Sequence, residues 1–86
     1  MSAVTIYTGG FCSACVRAKA LLERRGIAYT EVNVEDHPGL QRELLARSGR
    51  RTLPQVYVDE SWVGGADELA ALDASGDLMK LVQPKE

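Results

Sequence analysis

The sequence predicts a small α/β domain, with one four-stranded mixed sheet and helices on both of its faces. Two observations lead to this prediction. Segments with alternating apolar residues, typical of strands, are interleaved with segments of helical periodicity. Their order along the chain is β-α-β-α-β-β-α, with a short helix at the end. The chain has 86 residues, which is enough for one compact domain, and we expect that domain to span residues 1–86.

The first half of the chain predicts a strand–helix–strand unit. Residues 3–7 alternate and are rich in β-branched side chains, so they predict the first strand. Residues 12–25 carry an apolar stripe at helical spacing, and Gly26 suits the end of this helix. Residues 30–34 alternate again and predict a second strand. Because a helix connects them, the two strands are expected to run parallel.

The second half predicts another helix, a hairpin and two final helices. Asp36 or His37 is expected to cap the second helix, with Pro38 in its first turn and Gly49 near its end. The strands of the hairpin are expected at residues 55–58 and 61–63. The third helix is expected to start within residues 64–67, and a short last helix is expected at residues 78–82.

Composition and charge argue against several classes of function. The net charge is −2, so nothing favours nucleic acid as a partner. No apolar stretch approaches the ~20 residues of a membrane span, and the N-terminus lacks the pattern of a signal peptide. We therefore expect a cytoplasmic protein without a membrane partner. Arg47, Arg50 and Arg51 form a basic cluster, which suits either a small anionic ligand or plain solvation.

The only two cysteines, Cys12 and Cys15, form a C-x-x-C pair at the start of the first predicted helix. The free N–H groups and the dipole at a helix start favour a thiolate at Cys12. Cys15 falls one turn further in, where it is more shielded and close enough to attack a mixed disulfide on Cys12. In a reducing compartment, such a pair is redox-active or metal-binding rather than a structural disulfide.

The sequence contains three motifs, which are Tyr7-Thr8 through Cys12-Ser13-Ala14-Cys15, Thr52-Leu53-Pro54 and Gly64-Gly65-Ala66-Asp67. In this order and spacing, they resemble the glutaredoxins of the thioredoxin-fold superfamily. The resemblance extends from residue 4 to about residue 82. It implies a thioredoxin-like fold and a monomer. It also implies glutathione-dependent reduction of protein disulfides and of protein–glutathione mixed disulfides. In that reaction Cys12 attacks and Cys15 resolves the mixed disulfide.

The resemblance further implies that glutathione binds beside Cys12. A cis peptide bond before Pro54 would leave the Leu53 backbone exposed to a peptide-like ligand. The N–H groups of Ala66 and Asp67 would bind one carboxylate, and the Asp67 side chain would meet the ammonium. The other carboxylate is assigned to Arg51, or less directly to Gln41 or Arg42. The expected glutathione-binding residues are thus Arg51, Thr52, Leu53, Pro54, Gly65, Ala66 and Asp67.

Two departures from the family pattern lie close to the cysteines. Ser13-Ala14 replaces Pro-Tyr, which widens the mouth of the site. Gly9 stands where a lysine is often found, so we expect a weaker hold on the glycyl carboxylate and a less activated Cys12. Ser13 can donate a hydrogen bond to the thiolate. Glutaredoxins with serine at this position are the ones that more often carry a bridging [2Fe–2S] cluster.

Two alternative functions fit the same residues. The first is a cluster carrier or sensor, in which two Cys12 thiolates and two glutathione thiols bridge a dimer. A single chain offers only Cys12, Cys15 and His37 as soft ligands, too few for a closed metal site of its own. The second is a thioredoxin-like reductant served by a reductase. Phe11 and Ser13 do not match the Trp and Gly that usually stand at these positions in thioredoxins.

Other conspicuous side chains are assigned to packing or to the surface. Trp62 and Tyr57 are expected to pack in the hairpin rather than to hold a ligand. His37 is expected to be a helix cap or a surface residue, and Arg17 a solvated helix residue. Tyr7 suits either the edge of the site or the core.

Overall fold

The structure is a computed structural model, and it describes residues 3–82. The ends of the expected domain, residues 1–2 and 83–86, lie outside this range. The strands and helices are β1 (Val4–Thr8), α1 (Ser13–Arg24), β2 (Thr30–Asn33), α2 (Leu40–Ser48), β3 (Gln55–Val58), β4 (Ser61–Gly64), α3 (Ala66–Ser75) and α4 (Asp77–Val82). Within residues 3–82, no helix is both long and apolar enough to cross a membrane.

The four strands form one mixed sheet in the order β2-β1-β3-β4. β1 and β2 are parallel, which confirms the strand–helix–strand unit, and β3 is antiparallel to both β1 and β4. Because Tyr7 near the end of β1 pairs with Gln55 at the start of β3, the end of one strand meets the beginning of the other. The sheet thereby brings the loop that leads to Cys12 next to Pro54.

Apolar side chains form a separate core on each face of the sheet. α1, α3 and α4 cover one face, where Ile6, Leu22 and Leu69 are fully buried. α2 covers the other face around Val34 and Leu44. The prediction of helices on both faces is therefore confirmed, with the smaller core on the α2 side.

The aromatic side chains of the hairpin pack in the α2-side core. Tyr57 is only 3% exposed, and its ring meets that of Tyr7 edge to face with the centroids 5.6 Å apart. Trp62 packs against the same cluster and lies opposite Tyr57 in the β3–β4 register. The predicted packing roles of Tyr57 and Trp62 are confirmed, and Tyr7 belongs to this core as well.

The start of α2 differs from the prediction. Asp36 ends a short 3₁₀ turn, His37 follows that turn, and neither residue caps α2. Gly39 is the N-cap instead, with φ at 87°, so Pro38 precedes the helix rather than lying in its first turn. Residues with a Cβ atom rarely adopt this left-handed backbone conformation, whereas glycine adopts it at little steric cost. The end of α2 at Gly49 is as predicted.

Candidate active site

A disulfide joins Cys12 and Cys15 at the start of α1, with their Cα atoms 5.2 Å apart. Cys12 is the N-cap of α1, and its Sγ accepts a hydrogen bond of 3.1 Å from the Cys15 N–H. Cys12 is half-buried, whereas Cys15 is only 2% exposed. The structure therefore has the predicted outer and inner sulfur. Once the disulfide is reduced, this N–H group and the helix dipole stabilise negative charge on Cys12.

The backbone before β3 borders the outer sulfur. The peptide bond between Leu53 and Pro54 is cis, as predicted. The Leu53 carbonyl oxygen lies 3.7 Å from Cys12 Sγ. A disulfide sulfur carries no hydrogen, so this is a van der Waals contact. Any group bonded to Cys12 will lie beside the Leu53 backbone.

The start of α3 lies against the same segment. A Cβ atom on Gly65 would come within 3.3 Å of the Pro54 carbonyl oxygen, so the two loops are in close contact. Gly65 is the N-cap of α3, and its N–H donates a 2.7 Å hydrogen bond to Glu68 Oε1. The first-turn residues Ala66 and Asp67 thus lie on the side of the molecule that carries Cys12, as the sequence predicted.

Arg17 and Asp67 connect the starts of α1 and α3. The Arg17 Nη1 atom lies 3.9 Å from Asp67 Oδ1, and the two side chains are 66% and 89% exposed. Arg17 is therefore solvated, as expected, but it also faces the carboxylate that was assigned to a ligand ammonium. An ion pair this exposed is weak, so Asp67 stays accessible to a ligand.

A cleft of about 250 Å³ separates α2 from the segment that leads into β3. Gln41, Arg42 and Arg51 all line it, together with Leu53. The three side chains that the sequence proposed for a carboxylate are thus brought to one place. Among the ion pairs of residues 3–82, neither Arg42 nor Arg51 takes part.

The other two arginines of the basic cluster contact aromatic rings, and one of them, Arg50, also lines the cleft. The Arg47 guanidinium lies 4.6 Å from the centre of the Tyr57 ring, and that of Arg50 lies 5.1 Å from the Trp62 ring. Arg50 also pairs with Glu68 at 3.4 Å. Such cation–π contacts hold a guanidinium in place. Of the cluster, Arg51 is the member that faces the cleft without such a partner in the described part of the chain.

Gln55 supports the site, and sequence reasoning did not identify it. It is 2% exposed, and its Nε2 donates hydrogen bonds to the backbone oxygens of Arg50 at 2.9 Å and Thr52 at 3.3 Å. These bonds fix the segment that carries Arg51. The available signal was a polar residue at the start of a buried strand, directly after Pro54.

The loop between β1 and α1 is held by Glu35, which follows β2. The Gly10 N–H donates a 2.7 Å hydrogen bond to Glu35 Oε2. A Cβ atom on Gly9 would lie 2.9 Å from Leu53 Cδ1. A side chain at residue 9, such as the lysine often found in the family pattern, therefore has no room unless Leu53 moves.

The Glu68 carboxyl is expected to make the stability of the fold depend on pH. The Gly65 N–H, with a smaller contribution from Arg50, lowers the pKa of the Glu68 carboxyl below its ordinary value of 4.5. A carboxyl whose pKa is lower in the folded than in the unfolded chain stabilises the folded state at pH values above its unfolded pKa. That stabilisation is lost as the pH falls through the folded pKa. Between about pH 5 and pH 3, the free energy of unfolding should therefore fall less in Glu68→Gln than in the wild type. Urea denaturation at each pH measures this difference.

The matched control for this experiment is Glu60→Gln, in the exposed turn of the hairpin. It should keep the acid dependence of the wild type. Equal pH slopes in Glu68→Gln and the wild type would show that the contact with Gly65 contributes nothing.

A sequence profile described as glutaredoxin matches residues 4–63 of this chain. The chain belongs to the glutaredoxin family. Glutaredoxin 3 of Escherichia coli K12 is 42% identical over 83 residues, covering 96% of this chain and 100% of that protein. The glutaredoxin of Pseudomonas aeruginosa is 42% identical over 82 residues, covering 95% of this chain and 98% of that protein.

Solved glutaredoxin structures match the fold. The solution structure of the Brucella melitensis glutaredoxin has a TM-score of 0.86 at 44% identity, covering 95% of this chain and 89% of that one. The buckwheat glutaredoxin–glutathione complex has a TM-score of 0.89 at 24% identity, covering 94% and 76%, and it supports the fold alone. The expected thioredoxin-like fold is confirmed. This glutaredoxin is a thiol–disulfide oxidoreductase with a disulfide-forming Cys12–Cys15 pair.

The described side chains place a limit on metal binding by one chain. Within residues 3–82, no group of three or more His, Cys, Asp or Glu side chains is arranged to hold a metal ion. A [2Fe–2S] cluster bridging two copies would need Cys12 as a reduced thiolate, since the disulfide occupies its sulfur. The bridged cluster stays a prediction from Ser13.

Proposed function

We propose that this glutaredoxin uses glutathione to reduce protein disulfides and protein–glutathione mixed disulfides, through Cys12. The observation that carries the proposal is the setting of the Cys12 sulfur, which caps α1 and lies 3.7 Å from the Leu53 carbonyl oxygen. Leu53 also lines the cleft that contains Arg51. A tripeptide thiol with charged ends suits this arrangement. Membership of the glutaredoxin family supports the same ligand.

Glutathione is placed by its charged groups. Its sulfur meets Cys12, and its backbone runs along Leu53. Its glycyl carboxylate enters the cleft with Arg51, and its other carboxylate meets the first-turn N–H groups of α3. The proposed binding residues remain those from the sequence, Arg51, Thr52, Leu53, Pro54, Gly65, Ala66 and Asp67, with Gln41 and Arg42 as further residues of the cleft.

The proposed reaction follows from the outer and inner sulfur. With a mixed disulfide, the Cys12 thiolate attacks the glutathione sulfur, and the protein thiolate leaves and takes up a proton. A second glutathione thiolate then attacks that glutathione sulfur and releases oxidised glutathione and Cys12. With a protein disulfide, Cys15 attacks the Cys12 sulfur of the mixed disulfide and closes the Cys12–Cys15 bond. We propose that the enzyme acts as a monomer in the cytoplasm.

Arg51→Ala tests the ligand and its placement together. In an assay that couples glutathione, glutathione reductase and a small mixed disulfide, we expect the KM for glutathione to rise roughly fivefold, the effect of one partly exposed ion pair. The control Arg24→Ala, at the distant end of α1, should keep the wild-type KM. Turnover by the wild type with thioredoxin reductase, and none with glutathione, would contradict the proposal and favour the thioredoxin-like alternative.

A further inference from the structure

Two large apolar side chains flank Cys12 and are exposed to water. Phe11 is 112% exposed and Val16 is 62% exposed. Phe11 directly precedes Cys12 in the chain. Val16 lies one turn after Cys12 on the same face of α1, and its N–H donates a 3.2 Å hydrogen bond to the Cys12 carbonyl oxygen. Within residues 3–82, the other large apolar residue with such exposure is Leu81.

The backbone holds Phe11 in this exposed position. Its φ is 53°, a left-handed conformation that is uncommon for residues with a bulky side chain. The preceding Gly10 is fixed by its hydrogen bond to Glu35. An aromatic ring in water on a left-handed backbone contributes nothing to the core. Its position beside a reactive sulfur therefore indicates a role in recognition.

We propose that Phe11 and Val16 form a docking surface for an apolar side chain next to the reacting cysteine of a polypeptide disulfide. The proposal rests on thiol–disulfide exchange at Cys12 in the proposed function, but not on glutathione. During exchange, a substrate sulfur is bonded to Cys12. The residues beside the substrate cysteine must then lie over the neighbours of Cys12, and a covalent link makes even a small contact effective.

The size and charge of this surface select a transient polypeptide partner. Phe11 and Val16 together offer roughly 200–400 Å², whereas a stable interface needs roughly 800 Å² from each partner. A permanent dimer through this surface is therefore not expected. The exposed side chains of Phe11 and Val16 carry no charge and no hydrogen-bonding group, so the surface favours an apolar segment over a charged one. Glutathione has no apolar side chain to place here.

The two cysteines of the reduced enzyme supply the two electrons that the exchange needs. The Cys12 thiolate forms a bond to one sulfur of the substrate disulfide, whose other sulfur leaves as a thiolate and takes a proton from water. Cys15 then loses its proton to water, bonds to the Cys12 sulfur and expels the second substrate thiolate, which takes up a proton. Two electrons pass to the substrate, and Cys12 and Cys15 end as a disulfide. Phe11 and Val16 bind the substrate chain during the first step.

The test uses two peptides with an internal disulfide, identical except for Leu or Ser next to the reacting cysteine. The reduced enzyme is mixed with each peptide without glutathione, and the thiols are trapped at intervals to give the rate of exchange. Each rate is divided by that with 2-hydroxyethyl disulfide, which reports the general reactivity of Cys12. The wild type should prefer the Leu peptide by roughly five- to tenfold, the expected effect of burying part of one side chain.

The variants decide between docking and the alternatives. In Phe11→Ser and Val16→Ser, the preference for the Leu peptide should fall towards one, while Leu81→Ser should keep it. Equal rates for both peptides in the wild type, or an unchanged preference in Phe11→Ser, would overturn the proposal. A concentration-dependent dimer that Phe11→Ser abolishes in sedimentation would assign the surface to a second copy instead. Because the assay contains no glutathione, its outcome is separate from that of the glutathione-coupled assay.

Discussion

Cys12→Ser should abolish turnover of a protein–glutathione mixed disulfide, by at least roughly a thousandfold, because a serine hydroxyl cannot replace the attacking thiolate. Cys12 is the sulfur that caps α1 and borders Leu53, and Cys15 is almost completely buried. The inner cysteine therefore cannot take over the attack. The glutathione-coupled assay with a glutathionylated protein measures this loss.

The matched control is Cys15→Ser. This variant should keep a large part of the mixed-disulfide activity, because the second glutathione replaces the resolving cysteine. It should lose most of the reduction of protein disulfides, since those need the Cys12–Cys15 bond to form. Full activity in Cys12→Ser would refute the assignment of the nucleophile, and equal losses in both variants would refute the division of roles.

Gly64→Ala should lower the free energy of unfolding by about 3–4 kcal/mol, because a steric clash adds to a strained backbone. Gly64 has φ at 133°, a conformation that residues with a side chain rarely adopt. A Cβ atom there would lie 2.6 Å from Glu68 Cβ and 2.7 Å from Glu68 Cγ. The Glu68 Cβ atom is fixed to the α3 backbone and cannot move away unless the helix start moves. Rotating Cγ away would break the hydrogen bond of Glu68 to the Gly65 N–H. Urea denaturation measures the loss.

The control Gly76→Ala separates the cost of backbone strain from the cost of the steric clash. Gly76 also has a positive φ, 84°, but a Cβ atom there meets nothing within 4 Å. We expect this control to lose only about 1–2 kcal/mol, the cost of a left-handed non-glycine residue. If both variants lose the same amount, α3 has shifted to accommodate the methyl group at residue 64, and the close contact with Glu68 does not contribute.

The sequence predicted the elements whose signals are local. Alternation located the strands, and helical spacing located α1 with Cys12 at its start. The C-x-x-C spacing placed Cys15 in the protected first turn. The cis bond before Pro54 was implied by the resemblance to the glutaredoxins, not by a local pattern. The strand, helix and C-x-x-C signals each lie within a few residues of the feature they predict, so a single chain is enough to find them.

The missed features depend on contacts between distant segments. The start of α2 is set by Gly39 in a left-handed conformation, whereas the polar residues before it look like better caps. Arg47 and Arg50 suited either an anion or plain solvation, but their guanidinium groups contact rings from β3 and β4, and Arg50 lines the cleft as well. Gln55 carries no chemical motif, and its hydrogen bonds to the preceding loop exist only in the folded chain. A local pattern contains none of this information.

The two cysteines of the disulfide differ in exposure, so only one of them can be reached from solution. Because Cys15 is almost completely buried, we expect a thiol from solution to reach only the Cys12 sulfur and every bond to another molecule to form there. On this expectation, electrons enter and leave the protein through the Cys12 sulfur alone. Cys15 would then react only with Cys12, so its chemistry is confined to forming and breaking the Cys12–Cys15 bond.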